Sequence, residues 1–219
     1  MVEIEELRRL PSPGPKPQAI AFDGERLWIG SRETSRMYAV DPQSWNAHDE
    51  GVAPGVPWGA TVVGDELRVI LGEGEEDIRV IRRFVPGHGF KTDGAIVAPD
   101  NGTGSHLSFD GDRLYISQWY NKRILSLDEK GNVGSIIALP HEIAGHTIVD
   151  GKFYCITTDD ENTHEYFLTR VDARSGGAPK IDDIARLHFD ARGLAFDGER
   201  FWTNHREAHE TVAFARPDA

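Results

Sequence analysis

Three histidines, three arginines, two tryptophans and a carboxylate stand at fixed distances from a recurring glycine. Six and five positions before it lie the pairs Gln18-Ala19, Trp58-Gly59, Ser105-His106, Gly145-His146 and Arg192-Gly193. Seven and eight positions after it lie Ser31-Arg32, Leu71-Gly72, Gln118-Trp119, Thr158-Asp159 and His205-Arg206, with Glu73 one step further on. His106 and His146 share a register, and His205 comes from the next repeat. Three imidazoles brought together can bind a divalent metal such as zinc, and one alone can serve as a general base near neutral pH. Arg32, Arg192 and Arg206 can clamp a carboxylate or phosphate, because guanidinium donors match both anions. Trp58 and Trp119 would wall such a ligand, and Gln18 and Glu73 would add polar contacts. Taken singly, each histidine is equally well explained as a channel residue bonded to backbone. The matched pair His106 and His146 is what argues for a role.

The glycine belongs to a phrase that the chain repeats. Ala21-Phe22-Asp23-Gly24-Glu25-Arg26-Leu27-Trp28-Ile29 returns as Ser108-Phe109-Asp110-Gly111-Asp112-Arg113-Leu114-Tyr115-Ile116, and again as Ala195-Phe196-Asp197-Gly198-Glu199-Arg200-Phe201-Trp202-Thr203. Weaker copies surround Gly64 and Gly151, so the five glycines are spaced 40, 47, 40 and 47 residues apart. Asp-Gly between alternating strand patterns predicts a tight hairpin with positive φ at both residues. Each repeat reads as four strands; the third gives 107–109, 113–117, 123–127 and 132–139. A four-stranded meander of about 40–45 residues is the repeat of a β-propeller blade. The expected fold is therefore all-β: a five-bladed β-propeller of four-stranded blades in a single domain over 1–219. The blades are expected at 17–56, 57–100, 104–140, 143–189, and 191–219 completed by 2–10. That last pairing follows from the likeness of Ile4-Glu5-Glu6-Leu7-Arg8-Arg9-Leu10 to Ile181-Asp182-Asp183-Ile184-Ala185-Arg186-Leu187. It closes the ring and leaves no open sheet end. Inner strands start, and second strands end, on one face, so the positions counted above converge at one mouth of the channel. The phrase itself turns at the opposite face, where Trp28, Tyr115 and Trp202 read as packing residues.

Composition narrows the partners. A formal net charge of -12 argues against nucleic acid, whose phosphates demand basic surface. No run of about 20 apolar residues suggests a membrane span, and residues 1–10 lack the apolar core of a signal peptide, so a cytoplasmic location is expected. The single Cys155 excludes an internal disulfide and reads as a small buried hydrophobe. Asp159, Asp160 and Glu161 read as a solvated loop, with calcium as the alternative, and His164 and His209 read as surface groups in connections. Glycine-rich nucleotide motifs are absent, so no nucleotide cofactor is expected.

The Phe-Asp-Gly-(Glu/Asp)-Arg-(Leu/Phe)-(Trp/Tyr) phrases and Asn121-Lys122-Arg123-Ile124-Leu125-Ser126-Leu127-Asp128 resemble those of virginiamycin B lyase-like and gluconolactonase-like propellers. The blade number resembles that of plant-type glutaminyl cyclases. The resemblance lies in framework residues across nearly the whole chain. It implies a small-molecule propeller, in the lyase-like group one with a channel-mouth histidine and a divalent metal (zinc, magnesium or calcium). The expected function is an enzyme acting on a small polar or anionic molecule at the mouth, by lyase, cyclase or hydrolase chemistry. The alternative is a non-catalytic module that binds a ligand or a protein partner there.

Overall fold

The computed structural model describes residues 1–173 and 178–217. Five antiparallel meanders stand in a ring, each with its first strand innermost. Blade one comprises Pro17–Phe22, Leu27–Ser31, Arg36–Val40 and Ala47–Val52. Blade three comprises His106–Phe109, Leu114–Gln118, Arg123–Leu127 and Val133–Ala138, and blade four Glu142–Val149, Lys152–Thr158, Tyr166–Asp172 and Lys180–Leu187. Blade two has Val56–Val63, Glu66–Glu73 and Ile78–Val85, but its outer edge is broken into two short pieces, Gly89–Phe90 and Ile96–Val97, both paired with the third strand. Inner strands touch their neighbours all the way round, blade five against blade one included.

The N-terminal segment closes the ring. Glu6–Pro11 pairs antiparallel with Glu210–Ala215 and becomes the fourth strand of blade five, outside Arg200–His205 and Ala191–Phe196. The expected strand over 4–10 is divided, however. Val2–Glu3 runs parallel to Lys180–Leu187 and adds a fifth strand to blade four. The chain thus straps two adjacent blades together.

The repeated phrase works through its aspartate. Asp23 Oδ1 accepts from the backbone N–H groups of Glu25 (2.8 Å) and Arg26 (2.7 Å). Asp110 and Asp197 do the same for the residues two and three further on. The second oxygen accepts the Trp28 ring N–H at 2.6 Å, the Tyr115 hydroxyl at 2.9 Å and the Trp202 ring N–H at 2.7 Å. One carboxylate thereby caps the turn and fixes the aromatic ring that packs between blades. The turn is also wider than expected. Phe22 pairs with Leu27, Phe109 with Leu114 and Phe196 with Phe201 across four-residue loops, in which the glycine takes positive φ and the aspartate does not. Among the described copies, the two-residue Asp-Gly hairpin forms at Asp150 (φ 51°) and Gly151 (φ 70°), and Gly64-Asp65 makes a two-residue turn likewise, neither with the side-chain cap of the other three.

Trp202 is fully buried, so Asp197→Ala leaves its ring N–H and two backbone N–H groups without their acceptor. A loss of about 1–3 kcal/mol is expected, read as a lower urea midpoint with an unchanged slope. Cys155 is wholly buried and burial pushes its thiol pKa up, which suits a packing residue.

Candidate functional site

Ala19, Gly59, His106, His146 and Gly193 are all buried and form the wall of the channel. Two of the five carry imidazoles, and the other three are small enough to admit them. His106 and His146 meet edge to face, ring centroids 5.6 Å apart. A methyl group on Gly59 would lie 2.5 Å from His106 Cα, and one on Gly193 would lie 3.1 Å from His106 Nε2. His106 therefore reaches across to blade five. At 1 % and 0 % exposure both rings are shut off from solvent. His106 Nδ1 faces the Leu107 carbonyl at 3.0 Å, while His106 Nε2 and both nitrogens of His146 make no hydrogen bond of good geometry among the described residues, each ring only facing the other's backbone. Burial pushes His106 down to about 4 and drives His146 well below the ordinary imidazole value, the charge of His106 adding to the latter. Both rings are accordingly neutral at physiological pH.

His205 is not part of this pair. It packs on Phe189, with ring centroids 5.0 Å apart, and its Nδ1 lies 3.1 Å from Arg9 Nη1 at the outer end of blade five. Partial burial and then the Arg9 charge lower its pKa. The three-histidine metal set is thus not assembled. Among the described residues, no group of three or more His, Cys, Asp or Glu is placed to hold a metal ion. Glu73 is also committed elsewhere, to Arg82 at 2.5 and 3.0 Å within blade two.

The arginines and tryptophans do meet at the mouth, in a different arrangement from an apolar wall. Arg32 and Arg79 both lie over the Trp58 ring, at 4.6 and 4.1 Å. Arg192 lies over Trp119 at 4.8 Å and Tyr166 at 5.2 Å. The indoles therefore shelve guanidinium groups, an arrangement that favours cations over ring faces. Trp58 is held by Asp77 at 3.2 Å and Trp119 by Glu142 at 2.7 Å, each through its ring N–H. Gln18 is buried and accepts from Arg206 Nη1 at 3.2 Å; Arg206 Nε donates to Glu207 at 3.0 Å. Donation from Lys16, with that from Arg206 behind it, holds the Glu207 carboxyl down to about 2.

Arg32 differs from these. Its guanidinium makes no hydrogen bond or ion pair among the described residues and rests on Trp58 alone. Partial burial lowers its pKa first, and the positive charge of Arg206 lowers it further, with Arg79 adding to the effect and Asp77 opposing it. Arg192 is 2 % exposed, donates to the Tyr166 hydroxyl at 2.5 Å and the Ala191 carbonyl at 2.9 Å, and leaves its Nε without a partner. Next to these groups, between blades two and three, opens a cleft of about 360 Å³ lined by Asp77, Arg79, Ser105, Trp119 and Tyr120 among others.

Arg79, Asp77 and Tyr166 escaped the sequence reading, and Glu161 was read only as a solvated loop residue, because counting from the glycine covered only the first two strands. The loops into the third strands open on the same face.

Comparisons with known proteins place the fold and stop there. No family model matches the chain, and no curated protein matches it. Among solved structures, the PQQ-bound aldose sugar dehydrogenase of Streptomyces coelicolor is similar at a TM-score of 0.61 and 15 % identity, over 97 % of this chain and 85 % of that one. Virginiamycin B lyase from Staphylococcus aureus aligns at 0.54 and 12 %, over 95 % of this chain and 98 % of its own. Glutaminyl cyclase of Myxococcus xanthus aligns at 0.52 and 13 %, over 83 % and 99 %. Identities this low establish a shared propeller architecture. No described helix is long and apolar enough to cross a membrane.

Proposed function

We propose that the mouth binds a small anion, a carboxylate or phosphate, and that the protein is an enzyme acting on it by lyase, cyclase or hydrolase chemistry. The observation that carries this reading is Arg32: a guanidinium with no hydrogen bond or ion pair among the described residues, beside Arg206 and Arg79, which are held by Glu207 and Asp77, in a chain of net charge -12. Acidic residues outnumber basic ones 36 to 24, so an arginine left unpaired amid other arginines is a feature the composition does not force. Indole shelves fix its donors in advance, which lowers the ordering cost on binding. The enzymatic part draws on the lyase, dehydrogenase and cyclase among the similar structures. His106 and His146 serve in this reading as the neutral floor of the channel. No step is routed through a metal, since the histidines do not assemble a ligand set.

Thermal-shift titration with inorganic phosphate, citrate and neutral aldoses tests this. Phosphate or citrate should raise the melting temperature, and Arg32→Ala should weaken that binding by roughly ten- to a hundred-fold, the worth of one charge-assisted hydrogen-bonding group. Stabilisation by neutral sugars but not by anions, or an Arg32→Ala variant that binds anions as the parent does, would sink the reading. Anion binding without turnover across a panel of such ligands would return the protein to the class of binding modules.

A further inference from the structure

Four loops between second and third strands end on a residue of left-handed φ, Ser35, Asp77, Lys122 and His209, and the longer loop of blade four has one at His164, one residue before its end. Two of these residues are histidines, and the two are locked in opposite ways. His209 Nδ1 receives the backbone N–H of Lys16 at 2.8 Å. An acceptor nitrogen carries no proton, so in the neutral ring the proton sits on Nε2 and the lone pair is occupied. His164 Nδ1 instead faces Asp190 Oδ1 at 2.6 Å. An ionised carboxylate can only accept, so Nδ1 carries the proton and the neutral ring offers its lone pair at Nε2. That nitrogen has no protein partner among the described residues, and the His164 side chain is 68 % exposed.

Asp190 is 6 % exposed and His164 is its sole hydrogen-bond partner among the described residues. A buried carboxylate that orients an exposed imidazole is the arrangement by which a general base is held in one tautomer. The dyad lies beside Arg192, toward the outer side of blade five. Asp190 stands two residues before Arg192, and the loop that carries His164 brings Glu161 to 3.8 Å from Arg192 Nη2. Tyr166, which takes the Arg192 hydrogen bond, feels the charges of Arg192, Asp190 and Glu161 together. Around the dyad stand His205, Arg9 and Glu210.

We infer that His164, held by Asp190, is the general base of the mouth, taking a proton from an O–H or C–H of the anion bound there or from a water beside it. As that bond breaks, an Nε2–H bond forms and the electron pair stays on the atom that lost the proton, the oxygen of an O–H or water or the carbon of a C–H. Asp190 retains the Nδ1 hydrogen bond and faces the imidazolium charge, and transfer of the proton to water or to the leaving group restores the neutral ring. The inference rests on the anion-site reading for its substrate class, but the tautomer argument stands apart from it.

The test uses diethyl pyrocarbonate, which acylates an available imidazole lone pair, on the whole protein at about pH 7, with each histidine followed by peptide mass. His164 should be labelled roughly ten-fold or more faster than His209, and Asp190→Asn, with folding checked by circular dichroism, should slow His164 several-fold while leaving His209 unchanged. Equal rates at His164 and His209, or indifference of His164 to Asp190→Asn, overturn the dyad. Adding inorganic phosphate should then protect His164, and Arg32→Ala should remove the protection. Phosphate that raises the melting temperature without protecting His164 overturns its place in the anion site. Phosphate that fails to bind at all overturns the anion reading, while the labelling contrast still decides the dyad.

Discussion

Alanine at Gly145 is expected to cost the fold about 3 kcal/mol or more, a large share of the roughly 5–15 kcal/mol that holds a domain together. The inner strands of blades four and five cross here. A methyl on Gly145 would lie 2.4 Å from Gly193 Cα and 2.5 Å from its carbonyl carbon. These are backbone atoms, so no side chain can turn aside to make room. Gly193 cannot retreat either: it sits in a strand irregularity at φ +68°, and a methyl there would already be 2.8 Å from Ile20 Cγ2 and 2.9 Å from the Gln18 carbonyl. Gly24→Ala is the matched control. Gly24 has φ +101° but nothing within 4 Å of an added methyl, so it should lose only the dihedral penalty of about 1–2 kcal/mol. Urea unfolding followed by tryptophan fluorescence separates the two. Were Gly145→Ala to cost no more than Gly24→Ala, the close approach of the inner strands would be wrong.

The blades were legible because one residue type does several jobs at a constant offset. Asp23, Asp110 and Asp197 each cap a turn and anchor a ring five residues on, and so the phrase recurs intact wherever both jobs are done. The four strands of the third repeat, His106–Phe109, Leu114–Gln118, Arg123–Leu127 and Val133–Ala138, lie within a residue of where their pattern puts them. The width of the turn was not legible, since Asp-Gly is equally compatible with a two-residue hairpin until the side-chain cap is seen. Depth at the mouth was hidden for a related reason. In blades one, two, four and five the inner strand slips register just where the site residues stand, at Pro17/Ala19, Pro57/Gly59, Ile143/Gly145 and Arg192/Ala195. Such bulges re-aim side chains and leave no consistent mark in sequence. Counting also placed His205 with His106 and His146, and it could not show the near-complete burial of His106, whose blade has no such slip. His164 was passed over because its meaning lies in Asp190, which is 26 residues away.

Acid should destabilise this propeller well above the pH at which its carboxylates protonate, and the channel histidines set the window. Burial holds His106 at about 4 against 6.5 for the free ring, and His146 well below 6.5. The unfolded chain thus binds protons that the folded channel refuses, so stability rises with pH through this range. It is complete above about 6.5 and is lost as pH falls toward 4, His106 alone accounting for about 3 kcal/mol. The carboxylates act lower down. Glu66, hydrogen-bonded first by Arg83, and Glu207, by Lys16, are each held at about 2 against 4.5, so their loss begins only below 4.5. Urea midpoints measured from pH 7 to pH 4.5 isolate the histidines, with a smaller contribution in the same direction from half-buried His205. His146→Leu should flatten the profile by about one proton. At pH 7 it should cost little, because it removes two buried ring nitrogens that make no hydrogen bond of good geometry among the described residues. A wild-type profile level from pH 6.5 to pH 4.5 would mean that protons reach the pair in the folded state. The channel would then be open from the mouth, and the neutral floor beneath the arginines would have to be abandoned.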